Sequence, residues 1–163
     1  DRVNCLAGIA PAGIDPVRLE ETFVANLAYA APRLEQAGVK LVIEAINTRD
    51  IPGFFLTNSR QALAIMDRVA HPNLLFQYDI YHMQVMEGDL ARTIETNLAR
   101  IGHIQIADNP GRHEPGTGEI NYPFLFEHLD RIGYDGWVGA EYKPKAGTVE
   151  GLGWFGQFAG KTA

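Results

Sequence analysis

His103-Ile-Gln-Ile-Ala-Asp-Asn-Pro-Gly-Arg-His-Glu-Pro-Gly-Thr-Gly-Glu-Ile-Asn-Tyr122 is the stretch whose reading decides the fold. Ile101 to Ala107 is a short apolar run, and the chain then turns polar at once, with three glycines and two prolines between His103 and Tyr122. A buried strand that empties into a long polar loop is the layout of an α/β enzyme site, where ligand-touching residues sit at strand ends. Gln105 stands out, because a neutral amide inside such a strand must find a hydrogen-bond partner. A backbone partner alone would satisfy it. The loop tips the balance towards function: Arg112, His113, Glu114 and Glu119 crowd a segment whose glycines let the backbone approach a ligand closely.

On either side of this stretch, strand and helix patterns alternate. Val3 to Gly8 reads as a strand. Asp15 and Pro16 then start a helix carried by Leu19, Phe23, Leu27, Ala30 and Leu34 and closed by Gly38. Val39 to Ile46 is a second strand, followed by a loop to Asn58 and a helix that Ser59 caps. Asn73 leads into the strand Leu74 to Tyr78, which ends in Asp79-Ile-Tyr-His82, and a third helix spans about Asp89 to Leu98. Beyond the long loop, Tyr122 to Ile132 is a helix, Trp137 to Tyr142 a strand, and Gly151 starts a terminal helix. Five strand–helix alternations without hairpin signals argue for parallel βαβ units. They fit an open doubly wound sheet or part of an eight-stranded barrel, which typically needs about 250 residues. Length alone favours the open sheet.

Composition narrows the function. With 163 residues, 46% of them hydrophobic and 21% charged, the chain is long enough for a single domain, 1–163, with a substantial core. A net charge of −6 with no basic cluster argues against nucleic acid. Cys5 is the lone cysteine, so no internal disulfide forms, and a reducing cytoplasmic setting is expected. No apolar run reaches the roughly 18 residues of a membrane span, and no signal peptide is expected ahead of the fold. The chain opens on Asp rather than Met and close to an apolar run, so an upstream part is expected to be missing.

Four of the five strands carry one polar side chain near the carboxyl end: Glu44, Asp79, Gln105 and Glu141. Ligands bind at that end of parallel sheets. Three carboxylates converging in an apolar interior repel one another and raise at least one pKa, and a divalent cation relieves that repulsion. All-oxygen ligation suits Mg²⁺ or Mn²⁺. Read separately, each carboxylate is as well explained as a strand-end cap or ion pair; four in matching places are not. His82 follows Asp79 by three residues and is expected on the same rim, facing a substrate oxygen or the metal. His103 shares a strand face with Gln105 and reads equally well as a core residue. His71 and His128 read as structural, and His113 as loop surface. No phosphate-binding glycine loop and no Ser or Cys nucleophile signature is present.

Taken together, Glu44-Ala45, Asp79-Ile-Tyr-His82, Ile104 to Asp108, Arg112 to Tyr122, Glu141-Tyr-Lys-Pro144 and Gly151-Leu-Gly-Trp-Phe155 resemble the hydroxypyruvate isomerases, a family of xylose-isomerase-like TIM barrels. The resemblance covers essentially the whole chain. It implies a partial (β/α) barrel holding about strands 4–8 of eight, with the first three βα units absent, and so overrules the open sheet. It also implies that Glu44, Asp79, Gln105 and Glu141 hold a divalent metal, Mg²⁺ or Mn²⁺, that Glu44 and Glu141 form a catalytic acid/base pair, and that His82 and Arg112 bind substrate. The implied reaction interconverts hydroxypyruvate and tartronate semialdehyde, a small 2-oxo or hydroxy acid being the partner; a homo-oligomer is compatible. Related alternatives are a 2-oxo-tetronate isomerase or a sugar 3-epimerase. A metal-dependent phosphodiester nuclease is more distant, since five histidines and a charge of −6 fit it poorly. A non-catalytic binding domain leaves the four strand-end residues without a purpose.

Overall fold

A computed structural model describes residues 1–157. Five parallel strands stand in chain order in one sheet: β1 (Arg2–Asn4), β2 (Lys40–Glu44), β3 (Leu74–Asp79), β4 (Ile101–Ile106) and β5 (Val138–Ala140). Between them run α1 (Pro16–Gln36), α2 (Ser59–Val69), α3 (Ile80–Met86), α4 (Leu90–Thr96) and α5 (Tyr122–Arg131). The first helix starts where the sequence predicts: the Asp15 side chain accepts from the Val17 N–H at 2.9 Å, and Pro16 takes the first helical position, where no N–H is needed.

Alternation along the strands sorts residues between two faces. Leu41, Ile43, Leu74, Phe76, Tyr78, Ile104 and Ile106 belong to the buried cluster shared with Phe23, Leu27 and Ala31 of α1 and Ala62, Ile65 and Met66 of α2. The opposite parity holds Glu44, Gln77, Asp79, His103 and Gln105. That second face is concave. Arg2 of β1 reaches the Nδ1 of His103 on β4 at 2.7 Å although two strands lie between them, a contact only a curled sheet permits. The five strands therefore form half of a barrel, and the open sheet favoured by length alone is not what this sequence makes.

Four local expectations differ from the structure. β1 ends at Asn4 rather than Gly8, because Gly8 takes φ +79° and Ile9 leaves the sheet to bridge Phe54. The segment after Asp79 is helical from Ile80, with no loop between strand and helix, so Asp79 is both the last strand residue and the helix N-cap. Glu141 lies one residue past β5, its N–H still donating to the Ile106 carbonyl at 3.1 Å. The expected terminal helix is represented by two 3-10 turns, Glu150–Leu152 and Phe155–Gln157; any continuation lies outside the described residues.

Candidate active site

The carboxyl ends of β2 and β3 and the first turn of α3 bring Glu44, Asp79 and His82 together, with one ligand atom from each lying within 4.8 Å of the others. All three are buried. Asp79 is divided between two tasks. Its Oδ1 accepts from the N–H groups of Tyr81 and His82 at 2.8 and 3.2 Å, capping α3. Its Oδ2 is buried without a hydrogen-bond partner, at 3.8 Å from His82 Nε2 and 3.9 Å from Arg112 Nη2. A desolvated carboxylate oxygen left in this way is costly unless a charge or donor completes it.

Glu44 is held from one side by amides. Its Oε2 accepts from Asn4 Nδ2 at 2.6 Å and from Gln77 Nε2 at 2.9 Å. The same Gln77 nitrogen donates to Gln105 Oε1 at 2.6 Å, and Gln105 Nε2 in turn donates to Glu141 Oε2 at 3.1 Å. The chain Glu44–Gln77–Gln105–Glu141 thus runs along the strand ends. Glu141 is the exposed member, its side chain 58% accessible, and it pairs with Arg112 at 3.2 Å. Arg112 also lies 4.0 Å from Asp50 and 5.5 Å above the Tyr81 ring. It takes φ +56°, unusual for a residue with a side chain. Lys143 N–H donates to its carbonyl at 2.7 Å, fixing the bend that points it at three carboxylates.

Electrostatics follow from this crowding. Burial, then the Asp79 charge, pushes Glu44 up from 4.5 to about 7, despite the Asn4 hydrogen bond. Burial likewise raises Asp79 from 3.8 to about 6, against its backbone donors and Arg112. Burial lowers His82 from 6.5 to about 4, with the nearby Arg112 charge acting in the same direction, so its ring is neutral near pH 7. Paired buried acids with raised pKa and an unpartnered oxygen are what a divalent cation corrects. The cluster itself offers two carboxylates and one imidazole, and its carboxylate oxygens suit a hard cation.

Each candidate named from sequence has a place here. Glu44, Asp79 and His82 form the tight cluster; Gln105 and Glu141 join it through Gln77, and Arg112 bridges Asp79, Glu141 and Asp50. His103 binds Arg2 instead, His128 meets the Ala91 carbonyl at 3.0 Å, and His113 meets the Lys143 carbonyl at 2.7 Å. Four contributors went unread: Asn4, Gln77, Asn47 and Asp108. Gln77 had a signal, since it precedes Asp79 by two and so shares its face. Asp108 organises the long loop. Its buried carboxylate accepts from the N–H groups of Asn109, Gly116, Gly118 and Ile120 at 2.9 to 3.1 Å. Gly118 is required there, because a Cβ would fall 2.2 Å from the Asn109 carbonyl oxygen and 2.7 Å from Asp108 Oδ1.

A curled parallel βα sheet with its polar cluster at the carboxyl strand ends defines a TIM-barrel class of protein. The chain belongs to the xylose isomerase-like TIM barrel family, whose pattern matches residues 1–158. It is 54% identical to hydroxypyruvate isomerase of Escherichia coli over 153 residues, 94% of this chain and 59% of that protein. It is 50% identical to 2-oxo-tetronate isomerase of Cupriavidus necator over 161 residues, 99% of this chain and 62% of that protein. Among solved structures it superposes on an AP endonuclease, family 2, from Brucella melitensis with a TM-score of 0.92 and 44% identity, covering 96% of this chain and 60% of the other. The chain therefore spans about three-fifths of the length of these relatives. No helix among the described residues is long and apolar enough to cross a membrane.

Proposed function

We propose that the intact protein interconverts hydroxypyruvate and tartronate semialdehyde. The observation that carries this reading is the carboxylate pair, with Glu44 buried on one side of the cluster and Glu141 joined to it through Gln105 on the other. Moving a carbonyl between adjacent carbons requires breaking a C–H bond on the carbon next to it and forming one at the former carbonyl carbon. Two glutamates flanking the substrate share that work. A base must be unprotonated at the working pH; Glu44 ionises at about 7 without a cation, and a cation beside it would favour the charged form further. Arg112, a planar fork at the mouth of the site, suits a carboxylate such as that of a 2-oxo acid. Glu44, Asp79, Gln105 and Glu141 would hold Mg²⁺ or Mn²⁺, which when bound supplies Lewis-acid stabilisation of the adjacent substrate oxygens. His82 Nε2, pointing at Asp79, faces the same space.

The names of the relatives at 54% and 50% identity support a small oxo-acid isomerase and leave hydroxypyruvate and 2-oxo-tetronate as the two substrates to separate. The name of the Brucella neighbour points to a nuclease. Among the described residues, the cluster holds a single histidine, and the chain carries a net charge of −6; both favour the isomerase. We further propose that three more βα units close the barrel across the outer edges of β1 and β5, since the relatives are longer and neither edge is paired among the described residues. The deciding experiment is turnover of hydroxypyruvate and 2-oxo-tetronate by the intact protein, stripped with chelator and reloaded with Mg²⁺ or Mn²⁺. Turnover of neither substrate under any loading rejects the proposal.

A further inference from the structure

We propose that Asn47, just past the end of β2, is a positioning residue that holds the His82 ring as the tautomer with its proton on Nε2. His82 then acts in the site as a neutral hydrogen-bond donor to a substrate oxygen and not as a ligand of the cation. The proposal rests on the isomerase reading above and assigns a role to a residue that touches no reacting atom.

Two backbone donors fix the polarity of the Asn47 side chain. The backbone N–H groups of Arg49 and Asp50 point at one terminal atom of the Asn47 side chain, at 3.0 and 2.8 Å. An N–H only donates, so that atom is the carbonyl oxygen and the amide cannot be turned over. The NH₂ end therefore faces His82, with Nδ2 at 2.7 Å from the ring Nδ1. The Asn47 backbone N–H converges on the same Nδ1 at 3.3 Å. Two donors meet one ring nitrogen, so Nδ1 accepts, and in a neutral imidazole the proton is then on Nε2. Asn47 is fully buried and His82 is 1% exposed, so water does not compete for either group.

The other end of the ring completes the picture. Nε2 lies 3.8 Å from Asp79 Oδ2, too far for a direct hydrogen bond but close enough for an oxygen placed between to meet both. That carboxylate oxygen has no hydrogen-bond partner of its own. A proton on Nε2 blocks the lone pair through which that nitrogen would ligate a metal. His82 can thus serve an oxygen that gains negative charge during reaction. The spare proton of the Asn47 amide goes to Asp50 Oδ2 at 3.3 Å, and Asp50 accepts from the Tyr81 hydroxyl at 3.0 Å, so the positioning residue is itself held.

The tautomer is read directly by nitrogen-15 NMR of histidine-labelled intact protein, using long-range ring correlations, with a His82→Gln variant to assign the signals. The expected wild-type result is an unprotonated, pyridine-like Nδ1 and a protonated Nε2, both before and after addition of Mg²⁺, which is diamagnetic. Asn47→Asp keeps the turn, because one carboxylate oxygen still accepts from Arg49 and Asp50, while the other presents only an acceptor to the ring. In that variant Nδ1 is expected to become protonated. Turnover is expected to fall about 10²–10³-fold, the cost typical of a lost donor to a developing oxyanion, with the change in kcat and not in KM. Wild-type protein with Nδ1 protonated, loss of the Nε2 proton on Mg²⁺ loading, or an Asn47→Asp ring unchanged from wild type each overturns the assignment. Should Asn47→Asp not fold, the wild-type spectra decide alone. Wild-type protein that turns over neither oxo acid refutes the isomerase reading, while the nitrogen shifts still decide the tautomer.

Discussion

Replacing Glu44 by Gln tests the electrostatics of the site without relying on catalysis. In the folded chain Glu44 ionises at about 7 instead of 4.5, chiefly because it is buried and then because Asp79 is beside it. A shift of that size is worth on the order of 3 kcal/mol between the protonated and charged forms. The folded pKa is raised, so Glu44 contributes its full share of stability below about pH 4.5. That share is lost as the pH climbs through about 7. Asp79, raised from 3.8 to about 6, has the same sign over a lower window. The two share one electrostatic field and lose their protons in coupled steps, so their contributions are not summed. Metal-free protein should therefore become less stable between pH 5 and pH 8, against the usual trend for acid-sensitive proteins.

Glu44→Gln removes the carboxylate with the larger shift while its side-chain oxygen can still accept from Asn4 and Gln77. At pH 8 in chelator the variant should gain up to about 3 kcal/mol, or roughly 6–12 °C in Tm for a protein of this size. At pH 5, where folded Glu44 is already mostly protonated, the gain should fall to about 1 kcal/mol or less. Mn²⁺ at a thousand times its Kd should reverse the ranking, stabilising wild type by about 4.1 kcal/mol and Glu44→Gln much less. The assay is a set of thermal melts of the intact protein at pH 5 and pH 8, with chelator and with Mn²⁺. A variant destabilised equally at both pH values, or wild type gaining stability with pH in chelator, would refute the reasoning.

Glu141→Gln should lower turnover by about 10²–10⁴-fold at saturating metal, because the amide still coordinates through oxygen but accepts no proton; near-normal steady-state rates remove Glu141 from proton transfer. Arg112→Lys keeps the charge but loses the fork, so KM for the oxo acid should rise at least tenfold, given about 1.5–3 kcal/mol for a hydrogen bond to a charged group. An unchanged KM would place the substrate carboxylate elsewhere. Asp108→Asn turns one of the two accepting oxygens into a donor facing loop N–H groups. It should cost at least about 2 kcal/mol in a denaturant melt and speed amide exchange at Gly116 and Gly118, and no change in either sinks the loop-anchor role.

How much of this was legible depends on whether the physics is local. The alternation of strands and helices and the Asp15–Pro16 start of α1 are written in residue spacing, and both were readable. So were the strand-end polar residues, since period two alone places Gln77 and Asp79 on one face. Curvature was not. Whether five parallel units close towards a barrel or stay open depends on register stagger, such as the bulge between Phe76 and Gln77, which no apolar pattern encodes. Family likeness decided that question where length misled. The helix after Asp79 escaped notice because a strand passing straight into a helix leaves no turn signal. Asn4 and Asn47 were hidden for a different reason: each sits in a segment that looks ordinary, and each matters only through a partner about 35 to 40 positions away.

The amides themselves explain how the site can be both highly charged and ready for a cation. Glu44, Asp79 and Glu141 need orientation, and the simplest source of it would be lysine or arginine. A cation on Gln77's position, between Glu44 and Gln105, would neutralise Glu44 and compete with any metal for the same oxygens. A neutral amide donates just as directionally while leaving the negative charge in place. Asn4 and Gln77 do this for Glu44 and Gln105 for Glu141, while Asn47 donates in the same way to the neutral His82 ring. Among the described residues the permanent cation paired with the cluster is Arg112, which stays at the rim, nearest the exposed Glu141 and farther from the buried Asp79. Charge compensation is thus left incomplete where the carboxylates are most desolvated, so burial, the chief cause, keeps the pKa values of Glu44 and Asp79 raised.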